Sequence, residues 1–142
     1  MILLIRDPAD ALLAQFHLKN SKNHIGFAPI ETFHTLFEGY VKIHIKDWQN
    51  GYEYYIDNYA SHQIHILRFE NLKSDLVAEL QRLMDFLDLK FDKFLAECIV
   101  EKQKGSFKRP KSDIDYKKFY THQLTEMIEK TKTQVYTKLS IL

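Results

Sequence analysis

Arg6 follows the apolar run Ile2-Leu3-Leu4-Ile5 and precedes Asp7-Pro8, which places a guanidinium where a strand ends and a helix begins. In open α/β sheets ligands bind at that edge, and free backbone N–H groups there favour anions. A guanidinium adds a bidentate fork for phosphate oxygens. The competing account of Arg6 is a surface ion pair with Asp7 or Asp10. A second candidate is Lys104-Gly105-Ser106-Phe107-Lys108-Arg109. Its glycine permits close backbone approach, and its cations and the Ser106 hydroxyl could hold phosphate oxygens. A solvated basic loop between helices would read much the same. A third segment, Leu67-Arg68-Phe69-Glu70-Asn71-Leu72, ends a strand. Its acid could cap or orient a neighbouring loop, and its chemistry alone argues no catalytic role.

Other chemistries find little support. The seven histidines, at 17, 24, 34, 44, 62, 65 and 122, show no HExxH or comparable ligand spacing. They read as scattered structural or surface residues, with no metal expected. One cysteine, Cys98, excludes an internal disulfide framework, and its apolar neighbours predict a buried thiol. No Gly-x-Ser-x-Gly elbow and no P-loop GxxxxGK[ST] occurs, and four glycines, at 26, 39, 51 and 105, make no glycine-rich phosphate cradle. The balance of 20 basic and 19 acidic residues lacks the basic footprint of a nucleic-acid binder. The cations Lys102, Lys104, Lys108, Arg109 and Lys111 nevertheless crowd one stretch without an acid.

The elements that must position these groups follow from pattern. Residues 2–5 and 64–69 read as strands, the first as a run buried on both faces. Asp7-Pro8 starts a helix to about Lys19, with Ala11, Leu12, Gln15 and Leu18 on neighbouring faces. Ile30 to Trp48 has helical spacing, Asn50-Gly51 breaks it, and Tyr52 to Ala60 adds another turn or two. Ser74 or Asp75 caps a helix to about Leu87, and Phe91 to about Val100 forms another. Tyr116 to Leu139 reads as one final long helix, with Leu124, Ile128, Val135 and Leu139 inside. Strands separated by helical crossovers predict an α/β class with a parallel sheet.

A chain of 142 residues with 45% apolar and 27% charged side chains fits one globular domain, here 1–142. Met1 to Ile5 is too short for a signal core of about 7–15 apolar residues or a membrane span of about 20. A doubly buried strand needs neighbours on both sides, and two strands cannot make a stable sheet core. A domain lacking strands upstream is therefore expected.

In order and spacing these pieces resemble the sulfotransferase family. Ile2 to Asp10 resembles its strand–loop–helix that binds the 3′-phosphate of phosphoadenosine phosphosulfate. Leu67 to Leu72 resembles its "YEDL" segment, Leu83 to Leu87 an "FLG"-type helix end, and Lys104-Gly105 its late "RKG" loop. The pieces LLIRDP, HIGFAP (His24 to Pro29), HIKDW (His44 to Trp48) and KGSFKR (Lys104 to Arg109) are similar to the WSC-domain-containing branch, with Gln49 to Ser61 as a local insertion. The resemblance implies a partial P-loop-type three-layer fold without its N-terminal phosphosulfate-loop strand. It also implies transfer of a sulfuryl group to a glycan hydroxyl, with sialic acid the suggested acceptor, on the lumenal side of the Golgi membrane. Arg6, Lys104, Gly105, Ser106, Lys108 and Arg109 would contact the donor nucleotide, and the catalytic base would lie upstream. Ala14 stands where the family usually has a serine donating to the 3′-phosphate, which implies weaker holding. The chain alone is expected to be inactive.

Overall fold

A computed structural model describes residues 1–21, 23–101 and 109–141. They fall into two compact units, Met1–Asp7 with Tyr59–Ser106 and Pro8–Asn58 with Phe107–Leu142.

The first unit carries the sheet. Strands β1 (Ile2–Ile5) and β2 (His65–Arg68) pair in parallel, with Ile2 opposite His65 and Ile5 opposite Arg68. This agrees with the two strands read from sequence, β2 being a residue shorter at each end. β1 is not buried on both faces as expected. Leu3 and Ile5 are buried, whereas Ile2 and Leu4 are 45% and 51% exposed, because alternate strand residues point to opposite faces and only one is covered here.

Phe69 leaves β2 and enters a short helix, α3 (Phe69–Ser74), which precedes α4 (Leu76–Phe86) and α5 (Lys93–Glu101). Asp75 caps α4 as read, its carboxylate accepting the Ala78 N–H at 3.1 Å. The buried acid of α4, Glu79, accepts from Asn71 Nδ2 at 2.8 Å and from Arg82. Burial pushes its pKa up, but those hydrogen bonds outweigh burial and hold it below the ordinary value. Cys98 is half-buried, and Ala96 fills the buried position of α5 instead.

The second unit is helical. It comprises α1 (Pro8–Ser21), α2 (Ile30–Asn58), a 3₁₀ turn at Tyr116–Phe119 and α6 (His122–Lys138). Its core is aromatic: the Phe16 ring meets Phe33, Phe37 and Tyr40 with centroids 4.7, 5.0 and 5.1 Å away. α2 contributes Phe33, Phe37, Val41 and Ile45, a four-residue spacing that keeps one stripe inward. α1 turns Leu12, Phe16 and His17 inward and leaves Leu18 42% exposed, so its core stripe differs from the one read from sequence.

Two predicted boundaries move. Asn50-Gly51 does not break α2, which runs unbroken through both residues. A helical glycine costs about 1 kcal/mol, and side-chain contacts on either side outweigh that. Trp48 packs on Tyr52 at 4.9 Å, Gln49 Nε2 donates to Glu53 at 3.2 Å, and Glu53 pairs with Lys138 at 2.7 Å. The final helix, conversely, is interrupted. Tyr120 is extended between the 3₁₀ turn and α6, and its hydroxyl donates to the Ala9 carbonyl at 2.7 Å. Thr121 then caps α6, accepting from Leu124 N. Buried Tyr136, rather than Leu139, completes the inner face of α6.

Candidate functional site

The register that sets Ile5 opposite Arg68 brings the exits of the two strands together. Arg6 and Phe69 are the next residues along each chain, and the Arg6 guanidinium lies over the Phe69 ring, 4.6 Å from its centroid. One residue further on, the Asp7 backbone N–H donates to Glu70 Oε1 at 2.9 Å. The Arg6–Asp7 turn is thus pinned by a carboxylate on the neighbouring strand exit. Glu70 therefore orients a neighbouring loop, the role its position suggests.

The pin changes what the edge can offer an anion. The Asp7 N–H is occupied by Glu70, so the attraction comes from the Arg6 side chain rather than from that backbone amide. Arg6 Nε is buried and has no hydrogen-bond acceptor among the described residues, and Glu70 Oε2 is buried without a donor among them. Buried polar groups are normally satisfied, and the Nε–H on the turn suits an oxyanion ligand. Asp10, offered as a partner for Arg6, pairs with Lys117 at 2.8 Å.

The other predicted site residues divide. Lys104, Gly105, Ser106 and Lys108 lie outside the described residues. Arg109 is described, and in the helical unit its Nε donates to the Gly26 carbonyl at 3.0 Å while its guanidinium lies 5.6 Å from the Phe27 ring centroid. It thereby holds the His24–Pro29 segment, a contact that the basic run gave no reason to expect. Ala14 is a half-buried residue of α1.

Of the histidines read as structural or surface residues, His17 is structural and only 2% exposed. Its ring packs edge-on against Tyr116 at 4.5 Å and Phe27 at 5.3 Å. Its Nδ1 accepts the Ala28 N–H at 3.1 Å. Burial, with Arg109 adding repulsion, lowers its pKa from 6.5 to about 4. The sequence signal for this was its position directly after Phe16 on the inward stripe of α1. Among the described residues no group of three or more His, Cys, Asp and Glu side chains could hold a metal ion. None of their helices is long and apolar enough to cross a membrane.

Residues 1–138 match the family model for the sulfotransferase domain. The chain is 27% identical to WSCD family member GA21586 of Drosophila pseudoobscura pseudoobscura, over 97% of this chain and 44% of that protein. It is 26% identical to WSCD family member CG9164 of Drosophila melanogaster, over 95% of this chain and 43% of that protein. A similar match, 23% identical over 97% of this chain and 44% of the relative, is to WSCD family member AAEL009094 of Aedes aegypti. The chain therefore spans less than half the length of these relatives. No solved structure matches it significantly.

Proposed function

Because the chain belongs to the sulfotransferase domain family, we propose that it forms the 3′-phosphate side of a site for phosphoadenosine phosphosulfate, in a protein that sulfates a glycan hydroxyl. The observation that carries this reading is the Arg6 turn, held at the carboxyl end of β1 by Glu70, with a buried Nε–H lacking an acceptor among the described residues. Lys104, Gly105, Ser106, Lys108 and Arg109 are the further groups proposed to reach the nucleotide, on the strength of the family resemblance. Sialic acid is the proposed acceptor and the lumenal Golgi membrane the proposed location, both on the same ground.

The donor supplies the sulfuryl group and an adenosine bisphosphate leaving group. In the transfer the bond from sulfur to the bridging phosphosulfate oxygen breaks, one from sulfur to the acceptor oxygen forms, and the acceptor proton passes to a base. Cations that stabilise charge on the leaving group accelerate such displacements. Arg6 would contribute at the far end, through binding and orientation, so this chain by itself is proposed to be inactive.

The test is affinity of the full-length protein for adenosine 3′,5′-bisphosphate, with sulfate transfer to sialylated glycans read alongside. Arg6→Ala and Lys104→Ala should each weaken nucleotide binding by about tenfold or more, the loss of a charge-assisted hydrogen bond. Unchanged affinity in both variants would refute the site assignment. A second reading, a sulfotransferase-like module that binds without transferring, is favoured by Ala14 in place of the family's usual serine. Measurable transfer by the full-length protein would exclude it.

A further inference from the structure

Between α1 and α2 lies a half-open cleft of about 430 Å³, floored by Leu12 and lined by Gln15, Lys19, His44, Asp47 and Trp48. Its polar groups form an ordered chain. His44 Nδ1 lies 2.6 Å from Asp47 Oδ2, and Lys19 Nζ lies 3.4 Å from His44 Nε2. An ammonium can only donate and a carboxylate can only accept. Nδ1–H therefore donates to Asp47 and Nε2 presents its lone pair toward Lys19. Tyr40 steadies the relay, its ring 4.2 Å from that of His44 and its hydroxyl donating to Gln15 Oε1 at 2.7 Å. Trp48 forms an aromatic wall, and its buried Nε1–H has no acceptor among the described residues.

The composition of this lining selects a ligand class. Its volume falls within the range of small-molecule sites, roughly 300–1,000 Å³. One ammonium balanced by one carboxylate is a poor match for a polyphosphate, which needs a surplus of positive charge. A single carboxylate beside a single imidazole is too few ligands for a metal site. Four hydrogen-bonding side chains argue equally against a purely apolar guest, since each would lose its water on binding. What remains is an uncharged ring rich in hydroxyls. Such a ring offers an aliphatic C–H face to the indole. Its hydroxyls, each both donor and acceptor, can accept from Lys19, donate to Nε2 or Asp47, and exchange with the Gln15 amide.

We propose that the α1–α2 cleft is a carbohydrate-binding site for one neutral sugar residue, with Trp48 as its stacking wall and Lys19, His44 and Asp47 as its polar selectors. The site is built wholly from α1 and α2 and stands whether or not the chain contacts a sulfuryl donor.

Trp48 is the only tryptophan of the chain, so intrinsic tryptophan fluorescence reports on this wall alone. The probes are the methyl glycosides of galactose and of N-acetylglucosamine, titrated into the intact chain, with sorbitol as a polyol lacking a ring and inorganic phosphate as an anion. At least one glycoside should give a saturable change, with a dissociation constant on the order of 1 mM. His44→Gln and Asp47→Asn should each weaken it about 3- to 10-fold, the net worth of one hydrogen bond, with circular dichroism unchanged. Absence of saturation with both glycosides overturns the proposal. So does an equal response to sorbitol, saturation by phosphate instead, or a glycoside response that folded His44→Gln and Asp47→Asn leave intact. The wild-type comparison of glycosides with sorbitol and phosphate decides the matter even if a variant fails to fold.

Discussion

The Ala28 backbone N–H donates to Nδ1 of His17 at 3.1 Å, which fixes the buried imidazole as the neutral tautomer protonated on Nε2. Protonating Nδ1 would break that bond and bury a charge among aromatic rings, near Arg109. The folded-state pKa, about 4, lies below the ordinary 6.5, so between these values the unfolded chain binds more protons than the folded one. Stability from this residue is complete above pH 6.5 and is lost as pH falls toward 4, by an amount of about 3 kcal/mol. Urea unfolding at pH 7.5 and pH 5 should show a larger loss for the natural chain than for His17→Gln, which cannot titrate. Equal losses would mean that His17 takes no part in the acid response.

Glu70 pins the Asp7 amide with one carboxylate oxygen. Glu70→Gln keeps an oxygen there and should hold stability within about 0.5 kcal/mol, whereas Glu70→Ala leaves the amide unmatched and should cost about 1–2 kcal/mol. In the full-length protein Glu70→Ala should also weaken adenosine 3′,5′-bisphosphate binding, because the Arg6 turn loses its anchor. Thermal shifts with and without nucleotide separate the two effects.

Gly51 sits in the unbroken part of α2, and a Cβ added there would meet nothing within 4 Å. Gly51→Ala should therefore stabilise the fold by about 0.5–1 kcal/mol, since it removes backbone freedom from the unfolded chain without a clash. A lower melting temperature for this variant would show that the helix does not continue through residue 51.

Thr121 supplies the hydroxyl that accepts the Leu124 N–H at 3.3 Å, at the first turn of α6. Thr121→Ala should destabilise by about 1 kcal/mol, and Thr121→Ser should restore most of that loss. Equal stability of all three, by chemical denaturation, would rule out a stabilising cap.

Much of the scaffold was legible in the sequence because its cues are local. The apolar run at residues 2–5, Pro8 at the first turn of α1 and the Asp75 cap each act over a few residues, and each appears where its pattern put it. The misplacements come from forces that span the chain. Whether Gly51 ends a helix depends on a partner as distant as Lys138, and the break at Tyr120 coincides with a hydroxyl bond to Ala9. Periodicity shows neither. The candidate site was half legible for a similar reason. Arg6 announces itself by following a strand, but its restraint by Phe69 and Glu70 exists only once two remote strands are in register. Lys19 carried no motif, and HIKDW placed His44 and Asp47 in the resemblance without showing a cleft, because their arrangement with Lys19 makes sense only when α1 lies against α2.

The pin between Asp7 and Glu70 spans 63 positions of sequence, and α1 and α2 both lie within that interval. Bringing the ends of so long a flexible loop together costs about 1.6 kcal/mol more than closing one of ten residues. Helices form in about a microsecond or less, so α1 and α2 can fold and shorten the effective loop before the strands meet. During synthesis β1 leaves the ribosome before β2 and must wait, without that parallel neighbour, until β2 has been made. The turn that presents Arg6 is thus encoded well ahead of the strand that completes it, and is assembled late.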